Sequence, residues 1–189
     1  MEYNEYVQLQ LSGSGFSFGS KWGDQMEEAI LLYLQNADKS SKILDIGCGE
    51  GRGLLALRNI GFTNLCGIDI SPEKIARLKS HNIEGYVLDF HNLDQIEAES
   101  YDYIFCSHAI EHSLKPDVVI ANCLRISNKG LFIVPIDDSP QPEIGKSPHT
   151  HNFSTILSWT NLFDSICKCT RNHEVKERLG QEVWTTWIK

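Results

Sequence analysis

Ile43-Leu44-Asp45-Ile46-Gly47-Cys48-Gly49-Glu50-Gly51-Arg52-Gly53 is the stretch that decides the fold. A short apolar run passes directly into glycines at positions 47, 49, 51 and 53. Glycine lets a chain turn tightly and brings its backbone close to a ligand with no Cβ in the way. A strand-to-helix turn alone needs fewer glycines than this. The loop is therefore expected to bind a ligand.

Further short apolar runs lie downstream at Leu65–Ile70, Tyr86–Leu88, Tyr103–Cys106 and Leu131–Ile136. Such runs mark strands buried on both faces. Helical patterns fall between and before them. Asp24 and Glu27 make a capping-box-like start, and Met26, Ala29, Ile30, Tyr33 and Leu34 follow at helical spacing. Leu54, Leu57 and Ile60 continue after the glycine loop. Ser71 and Pro72 read as N-cap and first helical residue. Pro116 opens a helix carrying Val119, Cys123 and Leu124.

Strand alternating with helix predicts an α/β fold: a doubly wound, Rossmann-like, mostly parallel sheet with helices on both faces. Asp137–Pro148 holds three of the six prolines and reads as a long loop. Ser154 is then expected to cap a helix to about Leu162. Phe163–Thr170 and Glu182–Ile188 read as an antiparallel pair, the last hairpin of a sheet of about seven strands. One domain is expected, with an arm and helix over 1–40, a binding core over 41–136, and a closing segment over 137–189.

The ligand is narrowed by what is missing. The dinucleotide fingerprint wants a third glycine where Arg52 stands, and the phosphate loop wants a Lys-Ser/Thr pair that is absent. Asp69 ends the second strand about 20 residues on, where an acid can accept both ribose hydroxyls. Taken alone, it serves equally well as a cap for the helix near Ser71. Asp89 follows the third strand, where it can accept from an adenine amino group. Phe90 beside it offers an apolar face and a backbone N–H, although Asp-Phe there is also a plain turn.

In order along the chain stand D-x-G-C-G-x-G after strand one, G-I-D-x-S ending strand two, L-D-F after strand three and F-C-S-H-A-I-E-H after strand four. This ordered set resembles the class I S-adenosylmethionine-dependent methyltransferases, most closely the small methyltransferase type 11 domains, and covers Ile43 to about Ser154. Leu124-Arg125-Ile126 and Gly130–Pro135 resemble the family's fourth helix and fifth strand, with a shortened connection. The resemblance implies S-adenosyl-L-methionine as cofactor. Asp45 and the loop Gly47, Cys48, Gly49 and Gly51 would face its methionine part. Asp69, with Ile70 beside it, would hold the ribose, and Asp89 with Phe90 the adenine. Ser107 and His108 would lie beneath the sulfonium.

Histidines recur at that same edge: His108, His112, His149 and His151. His112 belongs to the family's Glu-His pair and reads as a structural hydrogen bond. His149 and His151 follow the long loop, where such enzymes line the acceptor pocket. His108 and His151 are the candidates for a general base or acceptor contact, ahead of a metal role. The arm Phe16-Ser-Phe-Gly-Ser-Lys-Trp22 resembles a segment that covers the cofactor, with Lys21 available to a carboxylate. An aromatic arm packed on the sheet is the equal alternative.

Composition bounds the function. The 189 residues, 41 % hydrophobic and 22 % charged, describe an ordinary globule of about one domain. A net charge of -8 without a Lys/Arg cluster disfavours a nucleic-acid substrate and suits a small acceptor. Met1–Gln10 is not expected to be a signal peptide, and no stretch approaches the roughly 18 apolar residues of a membrane span. The cysteines at 48, 66, 106, 123, 167 and 169 read as reduced thiols of a cytoplasmic protein. Cys167 and Cys169 on a strand, with His173, raise a metal reading. A structural zinc wants four ligands, so packed cysteines and no metal are expected.

The resulting reading is methyl transfer to a small-molecule acceptor by in-line displacement, in a monomer or homodimer. An S-adenosylmethionine sensor or silent partner subunit is the alternative. A nicotinamide-dependent reductase is disfavoured by Arg52.

Overall fold

β1 (Lys42–Ile46), β2 (Asn64–Asp69), β3 (Glu84–Val87), β4 (Tyr103–Ser107) and β5 (Lys129–Ile136) pair in parallel. The computed structural model that shows this describes residues 2–12, 21–136, 153–177 and 181–189. β6 (Thr170–Glu177) and β7 (Gln181–Ile188) form an antiparallel hairpin, and β7 pairs antiparallel with β5. The sheet order is β3-β2-β1-β4-β5-β7-β6. The order reverses direction between β1 and β4, so the crevice for a ligand opens at the carboxyl ends of these strands.

Six helices accompany the strands among the described residues: α1 (Tyr3–Ser12), α2 (Lys21–Tyr33), α3 (Arg52–Asn59), α4 (Pro72–Ser80), α5 (Pro116–Ile126) and α6 (Ile156–Ile166). They cover both faces of the sheet. Side chains alternate across a strand, so neighbouring residues enter opposite cores. Ile43, Leu65, Phe105 and Leu131 pack with Ile30, Leu34, Leu54, Leu57 and Leu78 on the α2–α3–α4 side. Leu44, Cys66, Ile104 and Phe132 pack with Val119, Cys123, Trp159 and Phe163 on the α5–α6 side. This explains why the central strands are continuously apolar rather than alternating.

The C-terminal third departs from the sequence reading. Phe163 is not in a strand; α6 continues through it to Ile166. Trp159 and Phe163 are four residues apart and share the buried stripe of that helix. Phe132 and Trp187 complete an aromatic cluster around them. Trp159 also donates Nε1–H to Thr185 Oγ1 at 2.8 Å, tying α6 to the hairpin. β6 begins only at Thr170 and is a polar, mostly exposed edge strand. Cys167 and Cys169 therefore precede the strand instead of lying on it.

Two caps also move. Thr155, not Ser154, caps α6: its hydroxyl accepts from Ser158 N at 3.0 Å, and Ser158 Oγ accepts from Thr155 N at 3.3 Å. Asp24 lies inside α2, and Asp24 and Glu27 both pair with Arg52 instead of capping. Ser71 does cap α4, accepting from Lys74 N with Pro72 in the first turn. No helix among the described residues is long and apolar enough to cross a membrane.

Candidate functional site

The loop after β1 is built by its glycines. Gly47, Gly49 and Gly51 have φ of 74°, 55° and 85°, the left-handed region that costs other residues about 1–2 kcal/mol. Gly47 N and Cys48 N both donate to Ile68 O at 2.9 Å, which binds the loop to the end of β2. A Cβ at Gly51 would run into Leu78 of α4, whereas one at Gly49 would meet nothing within 4 Å. Gly51 is thus needed for packing, and Gly49 leaves open space. Arg52 starts α3 and reaches back to Asp24 and Glu27 of α2, so the residue that breaks the dinucleotide fingerprint serves the fold.

Asp69 ends β2 with a buried carboxylate that organises this loop. Oδ2 accepts from Gly49 N and Oδ1 from Ser71 N, each at 2.9 Å. Ser71 takes the capping of α4, so Asp69 is left to join the glycine loop to the turn after β2. Asp45 is buried beside it in β1. Burial and the nearby charge of Asp69 push the Asp45 carboxyl well above the usual carboxylate range.

Asp89 follows β3. Its Oδ1 accepts from the His91 backbone N–H at 2.8 Å and lies 2.7 Å from His91 Nδ1, and its Oδ2 accepts from the Tyr3 hydroxyl at 2.6 Å. Burial opposes ionisation of Asp89, but these bonds outweigh it and hold the carboxyl below its ordinary value. The Asp89 bond, aided by burial, pushes the Tyr3 hydroxyl up to about 12. His91 Nε2 accepts from Leu114 N at 3.1 Å, so the ring proton sits on Nδ1 and is donated to Asp89. His91 thereby ties the end of β3 to the segment after β4. Phe90 packs into the core rather than presenting an open apolar face.

Ser107 ends β4, and His108, the next residue, has φ of 48°. This left-handed conformation is uncommon for a residue with a side chain. Ser107 Oγ lies 3.0 Å from His108 Nδ1. His108 Nε2 lies 2.9 Å from Glu182 Oε1 of β7, at ion-pair distance but off the ideal hydrogen-bond line. Trp184 Nε1 donates to Glu182 Oε2 at 3.0 Å. His112 lies 4.0 Å from Glu111 in a short helical turn, Ile110–His112.

The structure thus brings Asp45, the glycine loop, Asp69, Ile70, Asp89, Ser107 and His108 to one sheet edge. His149 and His151 lie outside the described residues, as does the arm Phe16–Ser20 with the side chains of Lys21 and Trp22. His173 is engaged elsewhere, 2.8 Å from Thr185 Oγ1 and 3.0 Å from Asp164 Oδ1. No group of three His, Cys, Asp or Glu among the described residues is placed to hold a metal. Tyr3 and His91, which contact Asp89, and Glu182, which faces His108, carry no motif in the sequence.

The donor set fits a nucleoside. Ionised carboxylates only accept hydrogen bonds, and ribose hydroxyls and an adenine amino group are donors of the kind they take. The open space at Gly49 is the space a Cβ would occupy. This is the class of Rossmann-like nucleoside-binding domains. A methyltransferase domain family matches residues 18–165, and the chain belongs to that family of S-adenosylmethionine-dependent enzymes.

Among relatives, the ubiquinone biosynthesis O-methyltransferase of Hahella chejuensis is 32% identical over 108 residues, 53% of this chain and 45% of that protein. The ribosomal protein L11 methyltransferase of Histophilus somni is 32% identical over 157 residues, 82% of this chain and 46% of that protein. The chain thus spans about half the length of the curated relatives it matches. The magnesium protoporphyrin IX methyltransferase of Synechocystis, solved with bound S-adenosylhomocysteine, superposes with a TM-score of 0.68. It is 12% identical and covers 99% of this chain and 94% of that one. A Pyrococcus horikoshii protein gives 0.67 at 19% identity, covering 90% and 92%. These two likenesses show the fold.

Proposed function

We propose that the chain transfers a methyl group from S-adenosylmethionine to a small-molecule acceptor. The observation that carries this is the buried carboxylate of Asp69, bonded to Gly49 N beside open space, with the buried Asp89 at the same sheet edge. When bound, the cofactor supplies an electrophilic methyl on a sulfonium. Asp69 takes the ribose hydroxyls, Asp89 the adenine amino group, and Asp45 with the glycine loop the methionine end. The chain's remaining task is to hold the acceptor at near-attack distance, about 3 Å, and exclude water. His108 and His151 are assigned to the acceptor side, which the segment 137–189 lines.

The relatives' names point to different acceptors, one in ubiquinone biosynthesis and one a ribosomal protein. The acidic chain without a basic patch supports a small acceptor over a nucleic acid. Calorimetric titration with S-adenosylhomocysteine should show a micromolar complex, about -8 kcal/mol. Heat from a nicotinamide dinucleotide and none from S-adenosylhomocysteine would sink the reading.

Two glycine substitutions separate fold from site. Gly51→Ala meets both a left-handed backbone and Leu78, and should cost about 2 kcal/mol, lowering Tm by about 4–8 °C. Gly49→Ala carries only the backbone cost but fills the open space, so it should weaken S-adenosylhomocysteine about tenfold with the smaller loss in Tm. Thermal melts and titrations of both variants check this. Equal affinity for wild type and Gly49→Ala would remove that space from the site.

A further inference from the structure

We propose that Ser107, His108 and Glu182 form a proton relay, and that the methyl acceptor is accordingly a hydroxyl group, of the weakly acidic kind found in phenols. The proposal rests on the methyl-transfer reading above and adds to it the acceptor chemistry.

Three observations meet at one place. His108 is held in a left-handed backbone conformation that a residue with a side chain rarely adopts. Such strain persists where the surroundings impose it, and it collects at functional sites. Its ring is almost fully buried, with 5% of the side chain exposed, against Glu182, whose side chain is 4% exposed. A carboxylate so buried is costly, and its cost is offset where it faces a group that becomes cationic. Finally, the partners come from distant parts of the chain. Ser107 ends β4 and His108 follows it, whereas Glu182 is the second residue of β7, opposite Pro135 of β5. Trp184 Nε1 anchors the second Glu182 oxygen at 3.0 Å, so the carboxylate is fixed in place.

The direction of the relay follows from donor and acceptor capacity. Ionised Glu182 can only accept, so the neutral His108 ring carries its proton on Nε2, 2.9 Å away. Nδ1 is then bare and accepts from Ser107 Oγ–H at 3.0 Å. The bent approach of Nε2 to Glu182 is the kind that tightens when ligand binds.

In the step itself, the acceptor oxygen forms a bond to the methyl carbon as the sulfonium S–C bond breaks. The electron pair of that bond stays on sulfur, giving neutral S-adenosylhomocysteine. The acceptor proton passes to Ser107 Oγ while the Ser107 proton passes to His108 Nδ1, and Glu182 stabilises the imidazolium. Glu182 acts through His108 and is a positioning residue. A thiolate or a neutral amine attacks without prior loss of a proton, so neither requires this array. A hydroxyl does.

The test uses the full chain with S-adenosylmethionine and three probe acceptors: catechol, thiophenol and aniline. Catechol should be methylated on oxygen, and Glu182→Gln should lower that rate about tenfold or more at neutral pH. The acidic limb of the pH–rate profile should move to lower pH, because removing the carboxylate destabilises the imidazolium. Glu182→Asp should recover part of the rate. S-adenosylhomocysteine affinity should stay within about twofold in both variants. Nitrogen NMR of the His108 ring in the wild-type complex should place its proton on Nε2.

A ring proton on Nδ1 overturns the relay, as does an acidic limb unmoved in Glu182→Gln. Absence of O-methylation overturns the acceptor class, whatever thiophenol and aniline do. Failure to bind S-adenosylhomocysteine at all removes the underlying reading, and the proposal with it.

Discussion

Asp69→Ala is expected to lower S-adenosylhomocysteine affinity by about 100-fold or more, about 2.7 kcal/mol. Two losses add. A carboxylate facing a ribose diol makes charge-assisted bonds worth about 1.5–3 kcal/mol each before rearrangement. The same carboxylate fixes Gly49 N and Ser71 N, so its removal also frees the loop proposed to cradle the ligand. Asp89→Ala should cost less, about tenfold, because in the proposed site Asp89 accepts one bond from the adenine and Tyr3 already competes for its Oδ2. Asp69→Asn keeps one acceptor oxygen and should fall between. Titration calorimetry gives the ranking, and circular dichroism melts separate lost binding from lost fold. Wild-type affinity in a folded Asp69→Ala protein would take this aspartate out of the site.

The gathering of the glycine loop, Asp69 and Asp89 at one sheet edge could be read from the sequence because each part is local. The glycine loop, Asp69 and Asp89 each sit directly after an apolar run, and a parallel sheet brings all such ends to one edge. Glu182 is different. It lies in a strand that pairs with β5 across a long stretch of chain, and no spacing connects it to His108. Tyr3 reaches Asp89 from the far N-terminus in the same way. His91 lies in a short, mostly polar 3-10 helix, Phe90–Gln95, where a polar residue needs no explanation.

The misread segment has its own cause. Phe163, Ile166 and Cys167 stand at i, i+3 and i+4, the helical spacing that carries α6 on from Trp159, and the strand reading passed over the polar Asp164 and Ser165 between them. The true edge strand, β6, is polar because its outer side meets solvent. Cys167 and Cys169 then fall in the link between the two, with their sulfurs 2.7 Å apart and His173 turned to Asp164 and Thr185. Likewise, Asp24 and Glu27 have the spacing of a cap, and only the fold shows that Arg52 claims both.

Asp45→Asn is expected to move stability and binding in opposite directions. Burial, reinforced by the charge of Asp69, raises the Asp45 carboxyl well above its ordinary value in the folded protein. Folding therefore favours the protonated form of this group. The stability it contributes is fully present below the unfolded carboxyl value and is lost as pH rises through the folded one. At neutral pH the wild type carries this penalty and the asparagine variant does not. Asp45→Asn should thus melt higher at pH 7, with the gap closing as pH falls toward 4, the ordinary aspartate range.

In the proposed site the cofactor reverses the preference. An ammonium at the methionine end favours the ionised carboxylate, so binding draws a proton off Asp45 wherever the free protein holds one. Affinity for S-adenosylhomocysteine should then rise with pH in the wild type, and its binding heat should depend on the ionisation enthalpy of the buffer. Asp45→Asn loses a charge-assisted contact of about 1.5–3 kcal/mol, some 10–100-fold in affinity, and its binding heat should be the same in phosphate and Tris. A residue kept for packing alone would show neither signature. A variant that melts higher yet binds as the wild type does, with unchanged buffer dependence, would place Asp45 outside the site. The predicted outcome instead marks a destabilising charge retained for its ligand, the usual sign of a binding residue inside a core.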